Sequence, residues 1–262
     1  MKNLILSYSS GYSWDKIKVW NISAKNTNND VCNLFLTPTQ ELIDACNEHN
    51  IQFSGFSVNS NKPPNNLRFL FQYKYLMSVK DRYSHVIVTD SRDVYFHHDP
   101  FPILNQIMSK TNKPIVCGSE CILYKDEQWG NGNLNEGFGY VYDEYKTQEI
   151  CNVGVLCGEV QAIAELCLMI FTMSFHNPAS VSDQSSFNIL MGTKLISDKV
   201  AITRPSDGLM VHLGTVGVQK FRDKLIEVPS WDESKIPNIN NNVIPIIHQY
   251  DRINTNNWEL LN

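Results

Sequence analysis

The amino-acid sequence predicts an α/β fold, a mixed and mostly parallel sheet flanked by helices. Three observations predict it. Short apolar runs of strand character alternate with segments of helical apolar spacing, the order that builds parallel sheets wrapped by helices. The run Val86-Ile87-Val88 is apolar throughout and ends abruptly in acid, as a doubly covered strand does at a binding edge. No internal repeat or clean linker interrupts the order, so 262 residues, about 1.7 times a typical domain, read as one domain.

Leu4 to Ser7 reads as a short buried strand opening onto Ser9-Ser10-Gly11, followed by a helix-like stretch from Trp14 to Ala24. Asn33 to Leu36 is a second strand. Thr37-Pro38-Thr39 reads as a helix start, with Thr37 as N-cap and Pro38 at the first helical position, and the helix continues to about His49. Ile51 to Val58 alternates as a strand. After Pro63-Pro64, the residues Leu67, Leu70, Phe71, Tyr75 and Val79 fall on a helical period. His85 to Thr89 is the acid-tipped strand, Pro102 to Lys110 a helix and Pro114 to Gly118 a strand. Val153 to Leu156 is a further strand, leading into a helix from about Val160 to Met173. Tyr124 to Tyr145, with Trp129, Phe138, Tyr140 and Tyr142 among glycines and acids, has no clear periodicity and reads as a long loop. Three short strand-like runs close the chain: Val200 to Thr203, Leu209 to Leu213 and Val243 to Ile247.

Composition excludes several classes. Net charge is −5 and the 22 Lys and Arg are dispersed, so there is no basic stripe to bind nucleic acid. The seven cysteines form no Cys-x-x-Cys and meet no His pair at zinc spacing, and several sit in apolar runs as small hydrophobes. Leu4-Ile5-Leu6 is too short for a signal peptide core, and no run approaches the roughly 18 apolar residues of a membrane span. A reducing cytoplasmic location is the simplest expectation.

Val86-Ile87-Val88-Thr89-Asp90-Ser91-Arg92-Asp93 holds the chemistry. Two carboxylates at the mouth of a buried strand make a hard oxygen site for Mg²⁺ or Mn²⁺; the plainer alternative is a capping Asp beside an Asp–Arg surface pair. Residues Asp90 to Phe101, ending Asp99-Pro100-Phe101, resemble the "DxD, aromatic, D-P-F" segment of nucleotide-sugar glycosyltransferases of the GT-A fold. Downstream, Cys151-Asn152-Val153-Gly154-Val155 resembles their Asn-x-Gly strand. Asp183-Gln184 with Asn188 resembles their Asp-Gln helix start, and Ile246-Ile247-His248 their late metal-binding His. The order of the motifs is similar to that of the retaining family eight and related viral or microbial enzymes.

The resemblance implies a GT-A, Rossmann-like fold with a nucleotide-binding part over about residues 1–118 and an acceptor and completing part over 119–262. It implies a nucleoside diphosphate sugar donor, UDP-linked, a Mn²⁺ or Mg²⁺ cofactor and a glycan or other hydroxyl acceptor. Aligned on Asp-Pro-Phe, Asp93 takes the second acid of the motif and Ser91 the first, leaving Asp90 one position early. Side chains three apart on a strand face opposite ways, so Asp90 joins Asp93 only if the chain turns or bulges at Ser91-Arg92. His248 is the third ligand by resemblance, with His212 in Val211-His212-Leu213-Gly214 its rival. Asn152 and Gly154 fall where the family brings backbone against the donor sugar. Asp183 and Gln184 bind sugar hydroxyls in the family, with Gln184 near the anomeric carbon in retaining enzymes; an N-cap is the local alternative. Tyr8 and Ser9 fall at the base and ribose, Tyr8 stacking on the base or joining the core. Arg68 and Lys74 are phosphate or sugar contacts or an exposed helix face, and the aromatic loop supplies the acceptor site. Two rival readings stay open: a sugar-nucleotide pyrophosphorylase, whose Gly-rich basic signature Ser7 to Tyr12 lacks, and a non-catalytic nucleotide-sugar-binding module, suggested by Ser91.

Overall fold

The computed structural model describes residues 2–57, 63–229, 231, 235–239 and 241–253. Strands and helices alternate from the start: β1 (Lys2–Ser10), α1 (Trp14–Lys25), β2 (Asp30–Leu36), α2 (Gln40–Glu48), β3 (Gln52–Phe56), α3 (Pro64–Val79) and β4 (Tyr83–Asp90). There follow β5 (Val94–Phe96), α4 (Phe101–Thr111), β6 (Ile115–Leu123), α5 (Gln128–Phe138), α6 (Tyr142–Tyr145), β7 (Glu149–Glu159), α7 (Val160–Phe175) and α8 (Asp183–Gly192). The rest comprises β8 (Val200–Thr203), β9 (Met210–His212), α9 (Leu213–Val216), β10 (Asn238–Ile239), β11 (Asn242–Val243) and β12 (Ile246–His248).

The central sheet runs β3-β2-β1-β4-β7-β6-β8. Only β7 is antiparallel to its neighbours β4 and β6; the other pairs are parallel. Alternating side chains divide the core into two layers. Leu4, Leu6, Val86 and Val88 pack with α3 and α7 on one face, whereas Ile5 and Ile87 pack with Trp20 of α1 and Phe101 of α4 on the other. Both faces are covered, so the central runs Leu4-Ile5-Leu6 of β1 and Val86-Ile87-Val88 of β4 are apolar without interruption. β12 joins a small second sheet, parallel to β9 and antiparallel to β5. That sheet lies beside the carboxyl end of β4, because β5 follows β4 after a three-residue bend.

Three local readings are corrected. The cap of α2 is Thr39, whose side chain accepts from Leu42 N at 3.3 Å. Thr37 has φ +52° and donates its N–H to Phe56 O, so Thr37 and Pro38 belong to the turn against β3. The segment read as a long loop over Tyr124 to Tyr145 is largely helical, with Glu127 capping α5 and Leu134 and Phe138 buried one turn apart. Its glycines hid the period because two of them answer packing: a Cβ on Gly137 would lie 2.6 Å from Asn177 Oδ1, and one on Gly130 3.2 Å from Ile150 Cδ1. Sequence reading assigned no strand to Val94–Phe96, which pairs as β5. Val58, placed at the end of the third strand, lies outside the described residues. All seven cysteines are buried and free. Among the described residues no helix is long and apolar enough to cross a membrane.

Candidate active site

β4 ends at Asp90, and the chain bends through Ser91-Arg92-Asp93 before β5. The bend brings Asp90 and Asp93, three residues apart, to one side, which a regular strand would not do. Pairing of β5 with β12 then brings in His248, and Gln249 N donates to Asp93 O at 2.7 Å, pinning the bend. Ligand atoms of Asp90, Asp93 and His248 all lie within 4.8 Å of one another. His248 Nε2 is 3.5 Å from Asp90 Oδ2 and 3.7 Å from Asp93 Oδ1. Burial holds the His248 imidazole below its ordinary pKa, although Asp93 pulls it up. Two carboxylates and one imidazole are a fitting donor set for Mn²⁺ or Mg²⁺, and these residues would hold the ion.

His212 stands behind His248 rather than among the carboxylates. Their Nδ1 atoms are 2.9 Å apart with the rings at 86°. When His248 presents its Nε2 lone pair to a cation, its Nδ1–H donates to His212 Nδ1, which fixes tautomer and ring orientation. His212 Nε2 is buried without a partner, and Gly118 leaves it room: a Cβ there would lie 2.2 Å from that nitrogen.

β7 forms the floor of the site. A Cβ on Gly154 would come within 2.3 Å of His248 Cε1 and 2.7 Å of Asp90 Oδ2, so only glycine fits beneath the acidic cluster. Asn152 Oδ1 accepts from Gly154 N at 2.6 Å, and Asn152 Nδ2 donates to Glu120 Oε1 at 2.8 Å. At the start of α8, Ser182 makes no side-chain cap bond. Asp183 instead accepts from Arg68 at 2.8 Å, and the same guanidinium pairs with Asp90. Arg68 therefore ties the Asp90–Asp93–His248 cluster to the Asp183 wall, and its Nε is buried without a partner at the cavity. Gln184 lines the cavity beside the Glu120 carboxyl, whereas Asn188 accepts from Cys151 N and donates to Cys151 O, latching α8 to β7.

These residues line one cavity of about 670 Å³. Tyr8 borders it, stacked on Phe71 with ring centroids 5.9 Å apart, and burial pushes its phenol up to about 12. Ser9 does not line it: its Oγ is buried 2.7 Å from Ser91 Oγ and 3.0 Å from Asn33 Oδ1. Ser91, in turn, donates to Tyr8 O at 3.2 Å, stitching the acidic bend to β1. Lys74 is exposed on α3, outside the cavity. Trp129 borders the cavity and is 56% exposed. Sequence reading missed Glu120, a fully sequestered acid in the cavity wall; its signal was an acid within the continuation of an apolar strand.

No family model and no curated protein matches the sequence. Among solved structures, the chain is similar to mouse xyloside xylosyltransferase 1 in its apo form, with a TM-score of 0.59 at 10% identity over 97% of this chain and 99% of that one. The fold is GT-A. At this identity the likeness establishes the architecture and not membership of family eight. In the GT-A frame the Asp90–Asp93–His248 cluster lies at the carboxyl end of β4, inside the cavity.

Proposed function

We propose that the protein is a metal-dependent glycosyltransferase. It takes a nucleoside diphosphate sugar, UDP-linked, and passes the glycosyl group to a hydroxyl acceptor with retention of configuration. The observation that carries this reading is a two-carboxylate, one-imidazole cluster set in a 670 Å³ cavity of a GT-A fold. A bound Mn²⁺ or Mg²⁺ would supply charge neutralisation for the leaving diphosphate. The remaining work falls to the chain's own groups. Gly154 keeps the floor beneath the diphosphate clear, and Arg68 holds Asp90 and Asp183 in fixed orientations. Tyr8 offers a ring beside the base, Asp183 and Gln184 face the sugar, and Trp129 offers an exposed aromatic face for an acceptor ring. Because β4, β7, α8 and β12 all contribute, we count the chain as one catalytic unit.

Calorimetry with Mn²⁺ and UDP, followed by a hydrolysis and transfer screen across UDP- and GDP-sugars, tests the reading. Mn²⁺-dependent binding and turnover are expected, and Asp93→Ala abolishes both while leaving the fold intact. Full turnover by Asp93→Ala sinks the assignment. Binding without hydrolysis or transfer by the wild type assigns a non-catalytic module instead, and an inverted anomeric centre in fresh product removes retention.

A further inference from the structure

Each carboxylate of the acidic cluster carries an arginine on one oxygen. Asp90 pairs through Oδ1 with Arg68, and Asp93 accepts at Oδ2 from Arg92 Nη2 at 3.1 Å. The other two oxygens, Asp90 Oδ2 and Asp93 Oδ1, are the ones that lie 3.5 and 3.7 Å from His248 Nε2. The terminal torsion of a carboxylate is broad unless something holds one oxygen, so the arginines decide which oxygens face the imidazole.

Arg68 also holds Asp183, whereas Arg92 is held from the C-terminal side of the chain. Past β12, Gln249 adopts φ +60° and turns the backbone. Three contacts then close on residues 92 and 93. Gln249 N donates to Asp93 O at 2.7 Å, Tyr250 Oη donates to Arg92 O at 3.2 Å, and Asp251 Oδ2 lies 3.4 Å from Arg92 Nη2. Asp251 Oδ1 is in turn 3.4 Å from Arg252 Nε. One nitrogen, Arg92 Nη2, thus joins a carboxylate of the cluster to the turn that follows the imidazole.

Stability does not account for this link. The side chains of Arg92 and Asp251 are each 37% exposed, where an ion pair contributes little, and a guanidinium beside a cation site repels the cation. Charge on Arg92 therefore opposes the ion, while its grip on Asp93 Oδ2 favours the ion by leaving Oδ1 toward His248. We propose that Arg92 is a positioning residue for the cation site: clasped by Asp251, it holds Asp93 Oδ2 and thereby presents Oδ1 to the ion. The proposal rests on the metal-dependent reading above and extends it to the turn after His248.

Electron paramagnetic resonance titration with Mn²⁺ alone, without nucleotide, tests the clasp in wild type, Arg92→Gln, Asp251→Asn and the double variant, with urea denaturation in EDTA checking each fold. Arg92→Gln removes a positive charge from beside the ion, so an arginine acting only by charge predicts tighter Mn²⁺. The positioning role predicts the reverse, binding about 10- to 100-fold weaker. Arg92→Lys recovers part of that loss although it restores the repelling charge. Asp251→Asn weakens Mn²⁺ in the wild-type background and not in Arg92→Gln, because its effect runs through Arg92. A negative charge acting on the ion directly would instead weaken both backgrounds equally. Unchanged or tighter Mn²⁺ in folded Arg92→Gln, or equal losses from Asp251→Asn in the two backgrounds, overturns the clasp and leaves the cation site standing. Should Arg92→Gln not fold, wild-type Mn²⁺ affinity in Asp251→Asn overturns it as well. A wild type that binds no Mn²⁺ refutes the metal-dependent reading itself.

Discussion

Gly154→Ala separates the geometry of the acidic cluster from its chemistry, because it changes no ligand. Gly154 is not in the left-handed region, so alanine incurs no backbone strain there and acts only through its methyl group. That methyl would lie 2.3 Å from His248 Cε1, where ordinary contact begins at 3.4 Å, so the ring must withdraw by about 1 Å. Asp90 Oδ2, at 2.7 Å from the same point, must also give way. His248 is also held by His212 at 2.9 Å between their Nδ1 atoms, so a shift of its ring disturbs the second ring. Overpacking of this size costs about 1–3 kcal/mol, which leaves the protein folded. A 1 Å misplacement of a catalytic group costs on the order of 100-fold in rate. Electron paramagnetic resonance titration of Mn²⁺ and initial rates of donor hydrolysis measure the effect, with thermal melts checking the fold. Wild-type Mn²⁺ affinity together with wild-type turnover in Gly154→Ala would refute the assignment of the cation to Asp90, Asp93 and His248.

His212→Ala removes the Nδ1 partner of His248 and is expected to weaken Mn²⁺ by about 10- to 100-fold, read by the same resonance titration; unchanged affinity would assign His212 to packing alone. Arg68→Gln leaves Asp183, whose side chain is 4% exposed, without its cation and is expected to cost about 3–5 kcal/mol in urea denaturation; unaltered stability would show that the pair is not formed. Stability should also depend on pH through Glu120. Its carboxyl ionises near 7 when folded against 4.5 as a free group, so between these values the native state keeps a proton that the unfolded chain has released. Stability contributed by this group therefore falls as pH rises through that window, by at most about 1.4 kcal/mol per unit, and stays low above it. Denaturation at pH 5 and 7.5 should show this decline in the wild type and not in Glu120→Gln; parallel declines would mean that the carboxyl titrates normally.

The alternation of strands and helices was legible because both faces of the sheet are covered. Complete burial forces an unbroken apolar run such as Val86-Ile87-Val88, and the acids that stop it mark the rim of the sheet. Asn152, Gly154, Asp183 and Gln184 could be picked out because their motifs resemble the Asn-x-Gly strand and the Asp-Gln helix start of GT-A enzymes; the first two lie within β7 and the last two open α8. Tyr124–Tyr145 was misread for the opposite reason. Glycines required by close packing against Asn177 and Ile150 look, in sequence, the same as glycines of a loop.

By itself, then, the sequence determined the layered α/β architecture, the acidic tip of β4 and the candidacy of Asp93 and His248. The architecture and the acidic tip follow from local periodicity, which burial imposes on neighbouring residues; Asp93 and His248 were singled out by the resemblance of their motifs. Tertiary structure alone decided which way the remaining side chains face. His212 and His248 end similar short strands and are directly paired in register, yet only His248 meets the carboxylates. Asp90 joins Asp93 because of one bend, Ser9 turns inward to Ser91, and Arg68 bridges two acids 93 positions apart in the chain, Asp90 and Asp183. Glu120 faces the cavity from a strand that reads as core. On a strand the side-chain direction reverses with every residue, so a single step of register between segments remote in sequence exchanges a ligand for a core residue.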